Sequence, residues 1–372
     1  MGSTRRQFFS KIGAGAATVA LQPWMARYAS GAQPQARNDV VRINYNENPY
    51  GPSERALKAI RDAAASVTGR YFEDTYYDDL SNALAKHHGL KRDNIQVGAG
   101  STEILKICDD VFLREKAKVV VAEPAYEAVL QYAANSRATA IKVPLTRDYR
   151  HDLVKMAEAV TADTGMVYIC NPNNPTGTIV TKDEMQRFMA RIPASVTVVV
   201  DEAYMHYVLD PQFESAVRYV QEGRNMIVAR TFSKIHGLAG MRIGYAIAKA
   251  DLIAKIKPHT VDYTITGMSA AAAMASVADS QNVQRVAKLN AAQRQLLFDE
   301  MKKANFQVTA SHASFAMIDL KRPVAPIITE FEKRKVLVGR EFPSMPNFMR
   351  VTIGTEDEMK KFLAAFRAIL RA

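Results

Sequence analysis

Residues 231–242 read Thr-Phe-Ser-Lys-Ile-His-Gly-Leu-Ala-Gly-Met-Arg, and they come soon after the apolar run Met226–Ala229. A short apolar run of this kind predicts a buried strand, which would deliver the segment to the carboxyl end of a sheet. Open α/β sheets bind their ligands at that end. The segment offers one lysine with two hydroxyls just before it, glycines that allow close backbone approach, and Arg242 eight residues after the lysine. We therefore expect a binding site here.

Two interpretations of Lys234 compete at this point. A lone lysine is usually a solvated surface charge. Beside hydroxyl donors and an arginine, it could instead be an amine held next to a phosphate. A lysine that binds a phosphorylated aldehyde cofactor through a Schiff base has this requirement. Motifs elsewhere in the chain distinguish the two.

The composition is that of an ordinary globular protein. The chain has 372 residues, of which 48% are hydrophobic and 23% charged, so it can bury a large core, expected as two domains in one compact unit. Cys108 and Cys170 have no Cys-x-x-Cys partner and are expected to be buried thiols. The seven histidines show no metal-ligand spacing, so no metal site is expected.

The formal charge of +11 includes four basic residues and no acidic one in positions 1–32. The remaining excess is spread along the chain, without an arginine-rich tract or a patch with interleaved aromatics. A nucleic-acid partner is therefore not expected, and attraction of small anionic substrates fits the charge equally well.

The N-terminal segment has the features of a targeting signal. Arg5-Arg6 precede an uncharged stretch, Ile12–Trp24, and the small residues Ser30-Gly31-Ala32 could form a cleavage site. The stretch is too short and too weakly apolar for stable membrane insertion. Residues 1–32 resemble a bacterial twin-arginine (Tat) signal, which implies the Tat export machinery as a partner and a periplasmic location. The alternative is a cytoplasmic protein whose arm contains Arg-Arg by chance.

Short β-rich runs alternate with helical patterns up to Ile247. This alternation predicts an α/β fold with a mostly parallel, doubly wound sheet. The predicted strands are Val119–Ala122, Ala140–Val143, Met166–Cys170, Val196–Val200, Met226–Ala229 and Ile243–Ile247, and the predicted helices between them include Thr102–Arg114, Tyr126–Ala134, Asp152–Val160 and Lys182–Ile192.

Beyond Ile247 the pattern changes to a long helical stretch, about Met268–Ala304, then short strand candidates and a final helix, about Glu356–Arg371. This order predicts a smaller α+β domain. We divide the chain into a signal peptide (1–32), an N-terminal arm (33–70), a large ligand-binding domain (71–255) and a small C-terminal domain (256–372).

Other polar segments follow predicted strands. Gly98–Glu103 opens a helix whose free N–H groups could bind an anion, although an ordinary capped helix explains it equally well. Tyr126 would lie at the sheet edge, where most tyrosines only pack. Asn171–Gly177 combines two prolines and a glycine with three asparagines, more constraint than a plain turn needs.

Asp201 leaves the buried strand Val196–Val200, where a carboxylate is costly without a partner. A protonated pyridine nitrogen would supply that partner and would make the ring an electron sink. Tyr204 could then reach the ring oxygen. The alternative is a structural aspartate that caps the next helix.

Taken in order, the motifs Asn-Pro-Asn-Asn-Pro-Thr-Gly (171–177), Asp-Glu-Ala-Tyr (201–204) and Ser-Lys-Ile-His-Gly-Leu-Ala-Gly-Met-Arg (233–242) resemble those of class I/II pyridoxal-phosphate aminotransferases of fold type I. With Asn-Glu-Asn-Pro-Tyr (46–50) and Arg-Val-Thr-Ile-Gly-Thr (350–355), the resemblance extends to histidinol-phosphate aminotransferases and covers about residues 40–370.

The resemblance implies pyridoxal 5′-phosphate as the cofactor and Lys234 as the catalytic lysine, which binds the cofactor and later moves a proton. Asp201 would pair with the pyridine nitrogen, and Asn174 and Tyr204 with the phenolic oxygen. Tyr126 would stack on the ring. The residues implied to hold the phosphate are Ser101, Thr102, Ser233 and Arg242.

The resemblance also implies a homodimer with shared active sites, in which Tyr71 reaches the phosphate of the neighbouring subunit. Arg350 would grip an acidic group of the substrate, with Tyr50 as a second substrate contact. The reaction would transfer an amino group from an amino acid or a histidinol-phosphate-like donor to a 2-oxo acid.

Two features depart from the family pattern. His236 stands where the family usually has an aromatic residue, and we expect it to pack rather than touch the site. An export signal does not suit histidine biosynthesis, which is cytosolic, so the substrate stays open. The alternatives are a decarboxylase of the same fold and cofactor, and a catalytically silent cofactor-binding module.

Overall fold

The structure is a computed structural model that describes residues 39–69, 71, 75–114 and 116–370. The predicted signal peptide, residues 1–32, lies outside this part of the chain. From Val41 onward the chain forms one compact unit.

Twelve strands and twelve α-helices are present in the described part of the chain. The strands are β1 (Val41–Arg42), β2 (Ile95–Gly98), β3 (Lys118–Glu123), β4 (Thr139–Pro144), β5 (Thr164–Cys170), β6 (Thr197–Asp201), β7 (Met226–Thr231), β8 (Gly244–Ala248), β9 (Gln307–Val308), β10 (Phe315–Asp319), β11 (Val336–Leu337) and β12 (Phe348–Thr352). The helices are α1 (Glu54–Val67), α2 (Thr75–His87), α3 (Ser101–Phe112), α4 (Ala128–Asn135), α5 (Leu153–Glu158), α6 (Lys182–Arg191), α7 (Val217–Gln221), α8 (Ala250–Ile256), α9 (Gly267–Val277), α10 (Ser280–Lys303), α11 (Ala325–Lys333) and α12 (Glu356–Leu370).

A seven-stranded sheet in the order β2-β8-β7-β6-β5-β3-β4 forms the centre of the molecule. The strands β4, β3, β5, β6 and β7 run parallel. Strand β5 is buried at all seven positions and β6 at all five, as expected for strands covered on both faces. The prediction of a mostly parallel α/β sheet is confirmed, and the carboxyl ends of β3, β5, β6 and β7 share one edge.

Two details of the sheet differ from the prediction. Strand β8 pairs antiparallel with both β7 and β2, and β2 was not predicted. Residues 232–243 join β7 to β8 without a crossover helix, and a chain that returns directly to the neighbouring position must run antiparallel. The segment around Lys234 is therefore a loop at the sheet edge, fixed at its base where Phe232 N–H donates to the Ile243 carbonyl at 3.1 Å.

A second hydrophobic cluster surrounds the antiparallel sheet β12-β10-β9 and includes stacked Phe331 and Phe362. β1 pairs parallel with β11, so the segment before α1 packs in this cluster through Val41 and Ile43. The chain then enters the site with residues 44–48.

The long helix expected at Met268–Ala304 is two helices, α9 and α10. They are separated at Ala278-Asp279, and the Asp279 side chain caps α10 by accepting from Asn282 N–H. Ala270, Ala272 and Ala273 of α9 pack in the hydrophobic core that contains the large sheet. The predicted domain boundaries at 70/71 and 255/256 stay predictions.

Candidate active site

Lys234 lies on the loop between β7 and β8, at the carboxyl edge of the parallel strands. Its Nζ donates to the Tyr45 carbonyl at 3.2 Å and lies 5.5 Å from the centre of the Tyr204 ring. Burial, followed by the charge of Arg350, lowers the pKa of Lys234 to about 8. An amine that must accept a proton works best with a pKa near the working pH, so this environment suits a general base.

Asp201 ends β6, and its buried carboxylate is fixed by two hydrogen bonds. Ala203 N–H donates to Oδ1 at 3.0 Å, and the Tyr168 hydroxyl donates to Oδ2 at 3.0 Å. Burial raises the pKa of Asp201 to about 6. Desolvation disfavours the charged carboxylate, so a cation placed against it would be held tightly.

A set of polar groups faces the start of α3. The Ser233 hydroxyl oxygen accepts from Thr231 Oγ1 at 2.9 Å and from Arg242 Nη1 at 3.3 Å. Gly100 precedes α3 with a φ of +79°, and a Cβ there would collide with the guanidinium of Arg242. Only glycine therefore lets the guanidinium come this close to the helix N-terminus. The combination of a guanidinium and a helix N-terminus favours a phosphate.

A further group of polar side chains comes from distant parts of the chain. Arg350 is buried; its Nη1 donates to Asn174 Oδ1 at 2.8 Å and its Nη2 to the Asn44 carbonyl at 3.0 Å. Asn46 Nδ2 donates to the Tyr204 hydroxyl at 3.2 Å. Burial lowers the pKa of Arg350 to about 10, which leaves it charged, and raises the pKa of the Tyr204 phenol well above its ordinary value.

These groups line two adjoining cavities. The first, the cofactor cavity, has a volume of about 270 Å³, and the second, the substrate cavity, about 690 Å³. They share Tyr45, Tyr126, Asn174, Tyr204 and Lys234. Of the residues predicted from sequence, the cofactor cavity brings together Ser101, Thr102, Tyr126, Asn174, Asp201, Tyr204, Ser233, Lys234 and Arg242, while Arg350 lines the substrate cavity.

Three other residues singled out in the sequence lie outside both cavities. Tyr50 packs beside the cluster that contains Tyr204, with the Arg285 guanidinium 5.8 Å from its ring. Tyr71 is 85% exposed, and its ring lies 5.1 Å from that of Tyr263. His236 is buried beside Phe232, as expected for packing, and burial lowers its pKa to about 4.

The structure gives roles to three residues to which the sequence analysis assigned none, and of these only Asn46 belongs to a quoted motif (46–50). Tyr168 supplies a hydroxyl to Asp201 from the middle of an apolar strand. The Tyr45 carbonyl accepts a hydrogen bond from Lys234 Nζ. The backbone N–H of Asn46 donates to Thr352 Oγ1 at 2.9 Å, which holds Asn46 in place. For Tyr168 the available signal was its place in a buried strand, because a buried phenol usually has a hydrogen-bond partner. For Asn46 it was the motif at 46–50.

Cys108 and Cys170 are buried free thiols, as predicted. The described residues contain no cluster of three or more His, Cys, Asp or Glu side chains suited to a metal ion. Within the same residues, none of the helices combines the length and apolar character needed to cross a bilayer.

The chemistry of the cofactor cavity fits a phosphorylated pyridine aldehyde. An amine with a lowered pKa lies beside a buried carboxylate with a raised pKa, and a guanidinium faces a helix N-terminus. Each group matches one part of pyridoxal 5′-phosphate: Lys234 the aldehyde, Asp201 the ring nitrogen, and Ser233 and Arg242 the phosphate. The fold and the site together define a pyridoxal-phosphate-dependent aminotransferase of fold type I.

Comparison with known proteins agrees with this class. The chain belongs to the aminotransferase class I and II family, whose sequence model matches residues 38–366. It is 35% identical over 334 residues to the histidinol-phosphate aminotransferase of Moorella thermoacetica, covering 89% of this chain and 86% of that one. The Bacillus subtilis enzyme of the same name is 34% identical over 332 residues, covering 89% of this chain and 92% of that one.

A solved structure shows the same fold. The histidinol-phosphate aminotransferase of Sinorhizobium meliloti, in complex with pyridoxal 5′-phosphate, superposes with a TM-score of 0.83 at 25% identity. The match covers 97% of this chain and 99% of that one.

The bound cofactor supplies an electron sink for the bonds at the substrate Cα. The chain supplies the rest. Asp201 would keep the ring nitrogen protonated, while Arg242, Ser233 and the α3 N-terminus would hold the phosphate. Lys234 Nζ, whose pKa is lowered to about 8, is more readily neutral than an ordinary lysine and would take and return the Cα proton. Fixing the reacting groups in this way lowers the entropic cost of proton transfer.

Proposed function

We propose that this aminotransferase accepts a donor whose acidic group rests on Arg350 and passes its amino group to a 2-oxo acid. The observation that carries this proposal is the position of Arg350 in the wall of the substrate cavity that also contains Lys234. Its guanidinium is buried and charged, and its Nε has no hydrogen-bond partner among the described residues. An arginine in a wall of low dielectric binds a carboxylate or phosphate strongly.

Two donor classes satisfy this requirement. One is an α-amino acid, whose carboxylate would rest on Arg350. The other is histidinol phosphate, the substrate in the names of the relatives, whose phosphate would take the same place. The lysine, the carboxylate and the phosphate-binding side chains all line one cavity, which argues against the silent module. The relatives are named as aminotransferases, which argues against the decarboxylase.

A half-reaction screen tests the function. The holoenzyme is mixed with single donors, histidinol phosphate and a panel of amino acids, without a 2-oxo acid. Transfer of the amino group should abolish the visible absorption of the lysine-bound cofactor, and adding the 2-oxo acid should restore it. A holoenzyme whose spectrum no donor changes, despite tight cofactor binding, would contradict the proposal.

We further propose that the enzyme is a homodimer in which Tyr71 completes the partner's phosphate site. The support is the exposure of Tyr71, which faces Tyr263, itself 57% exposed, beside Val261, which is 64% exposed. Exposed aromatic and aliphatic side chains grouped in this way are typical of protein interfaces.

Mixed dimers of two inactive variants test the shared site. In a dimer of Lys234→Ala with Tyr71→Ala, one site carries both defects and the other carries neither. We expect co-expression to restore activity that neither variant has alone. A monomer in light scattering, or no recovery in a purified mixed dimer, would refute sharing.

We also propose that residues 1–32 direct the protein through the twin-arginine pathway to the periplasm, on the support of Arg5-Arg6 and the uncharged stretch that follows. We expect an Arg5→Lys, Arg6→Lys variant to stay in the cytoplasm. Normal periplasmic levels of this variant would exclude the pathway.

A further inference from the structure

One part of the lining of the substrate cavity, here called the distal end, consists of Glu127, Glu332, Arg340 and Glu341 with the ring of Phe342. It lies in the same cavity as Lys234 and Arg350, so it receives whatever part of the donor extends away from the reacting carbon. Glu127 comes directly after Tyr126, which lines both cavities, and the other members come from the small domain.

The guanidinium of Arg340 is already engaged. Arg340 forms an ion pair with Glu127, and its Nη1 donates to the Glu341 carbonyl at 2.9 Å. The same group lies 4.3 Å from the centre of the Phe342 ring, which in turn lies 5.1 Å from the Arg350 guanidinium. Arg340 is therefore held by a carboxylate, a carbonyl and an aromatic face of this chain.

The balance of charge at the distal end is negative. The described residues that form it include three glutamates and one arginine, and that arginine is paired with Glu127. An ion pair at this exposure is weak in itself, so a ligand could displace it. The displaced Glu127 would nevertheless stay tethered beside the ligand. Bringing like charges together in this way is a common means of rejecting a wrong ligand.

We propose that the distal end selects donors whose side chain carries no negative charge, that is, uncharged or cationic side chains, and rejects dicarboxylic amino acids. This inference rests on the proposed function, since it concerns the donor that Arg350 holds. Glu127 is the residue that determines the selection: it neutralises Arg340 and supplies a repelling charge. The apolar lining by Ala325 and Ile328 accommodates the stem of such a side chain.

Glutamine and glutamate are a matched pair for the test, because they have the same shape and differ in charge. For both donors, the single-turnover half-reaction of the holoenzyme is measured, and the limiting rate divided by the apparent dissociation constant is compared. We expect glutamine, like leucine and lysine, to exceed glutamate by at least about tenfold. In Glu127→Gln, which frees Arg340 and removes a charge, the glutamate-to-glutamine ratio should rise by about tenfold or more.

The control is Glu222→Gln, which breaks an exposed ion pair with Arg218. Neither residue lines the substrate cavity, so the ratio should stay at the wild-type value. In a second variant, Arg340→Gln, we expect glutamate to remain the poorer donor, with a glutamate-to-glutamine ratio within about threefold of wild type.

A wild-type preference for glutamate that Arg340→Gln abolishes would overturn the inference, because Arg340 would then grip the distal carboxylate. A ratio unchanged by Glu127→Gln would also overturn it. Both results leave the proposed function intact, since they are measured on transferred amino groups. Failure of every donor would instead refute the proposed function.

Discussion

The cofactor cavity and the distal end of the substrate cavity are built in opposite ways. At the cofactor cavity, buried polar side chains are fixed by hydrogen bonds from their own chain, as Asp201 is by Tyr168 and Ala203. At the distal end, side chains such as Arg340, 54% exposed, form pairs near solvent. Removing one partner of a buried hydrogen bond is costly because the other partner is left unsatisfied, while an exposed charge can be removed at little cost in stability. The chemistry is therefore fixed by the buried cavity, and selectivity is set at the distal end.

The largest effect should come from the cofactor cavity. Lys234→Ala removes the amine that bonds to the cofactor and moves the proton, so we expect kcat to fall by at least about 10³-fold. The visible absorption of lysine-bound cofactor should vanish at the same time. Single-turnover kinetics and absorption spectra measure both, with the exposed Lys106→Ala as the control. Near-normal turnover in the Lys234 variant would mean that another residue does the chemistry.

The two arginines of the substrate cavity allow a direct comparison of buried and exposed positions. Arg350→Lys keeps the charge but loses the planar fork that donates to Asn174 and to the Asn44 carbonyl. We expect KM for the donor to rise about 10- to 100-fold, the range for losing a hydrogen bond to a charged group. The same change at Arg340 should raise KM by no more than about threefold. Equal effects of the two substitutions on KM would show that buried Arg350 and exposed Arg340 do not differ in their contribution to donor binding.

The buried Asp201 carboxylate should destabilise the cofactor-free protein at pH values above about 6. The pKa of Asp201 is raised from 3.8 to about 6 in the folded protein, so the folded state binds this proton more tightly than the unfolded chain. Its contribution to stability is complete below pH 4 and is lost as pH rises through about 6. A shift of this size corresponds to at most about 3 kcal/mol.

We therefore expect Asp201→Asn to raise the free energy of unfolding of the cofactor-free protein at pH 8 by about 1–3 kcal/mol, with little change at pH 4. Urea unfolding at the two pH values measures this, with exposed Asp251→Asn as the control. The same variant should bind the cofactor more weakly. A cofactor-free Asp201→Asn protein less stable at pH 8 than wild type would show that the carboxylate stabilises the fold.

The sequence predicted the buried cavity much better than the distal end. Lys234, Asp201 and Asn174 each follow an apolar strand, and strand ends of a parallel sheet meet at one edge, so local patterns were enough. Glu127 and Arg340 are 213 positions apart and come from unrelated elements, so nothing local signals their contact. Tyr50 belongs to a recognisable motif, but its ring packs outside both cavities, because a motif does not fix the direction of a side chain.

Tyr168 shows the limit of the sequence within the cofactor cavity itself. Its position in the apolar strand β5 predicts only burial, and the hydroxyl that reaches Asp201 Oδ2 cannot be inferred from the strand pattern. That hydrogen bond stabilises the carboxylate form of Asp201 and so keeps its pKa lower than burial alone would set it. Only this form pairs with a protonated ring nitrogen, so cofactor affinity should fall as pH falls through about 6.

In Tyr168→Phe, the fall of cofactor affinity at low pH, here called the acid limb, should begin at a higher pH. The shift should be somewhat under about one pH unit, since one hydrogen bond contributes about 1 kcal/mol. Affinity at pH 8 should change little, because Asp201 is ionised there in both proteins. Cofactor titrations between pH 5 and 8 measure the limb, with Tyr219→Phe as a control at a buried tyrosine outside both cavities. A uniform loss of affinity at every pH would mean that Tyr168 only packs. The unmoved limb would then show that burial and the Ala203 N–H alone set the charge of Asp201.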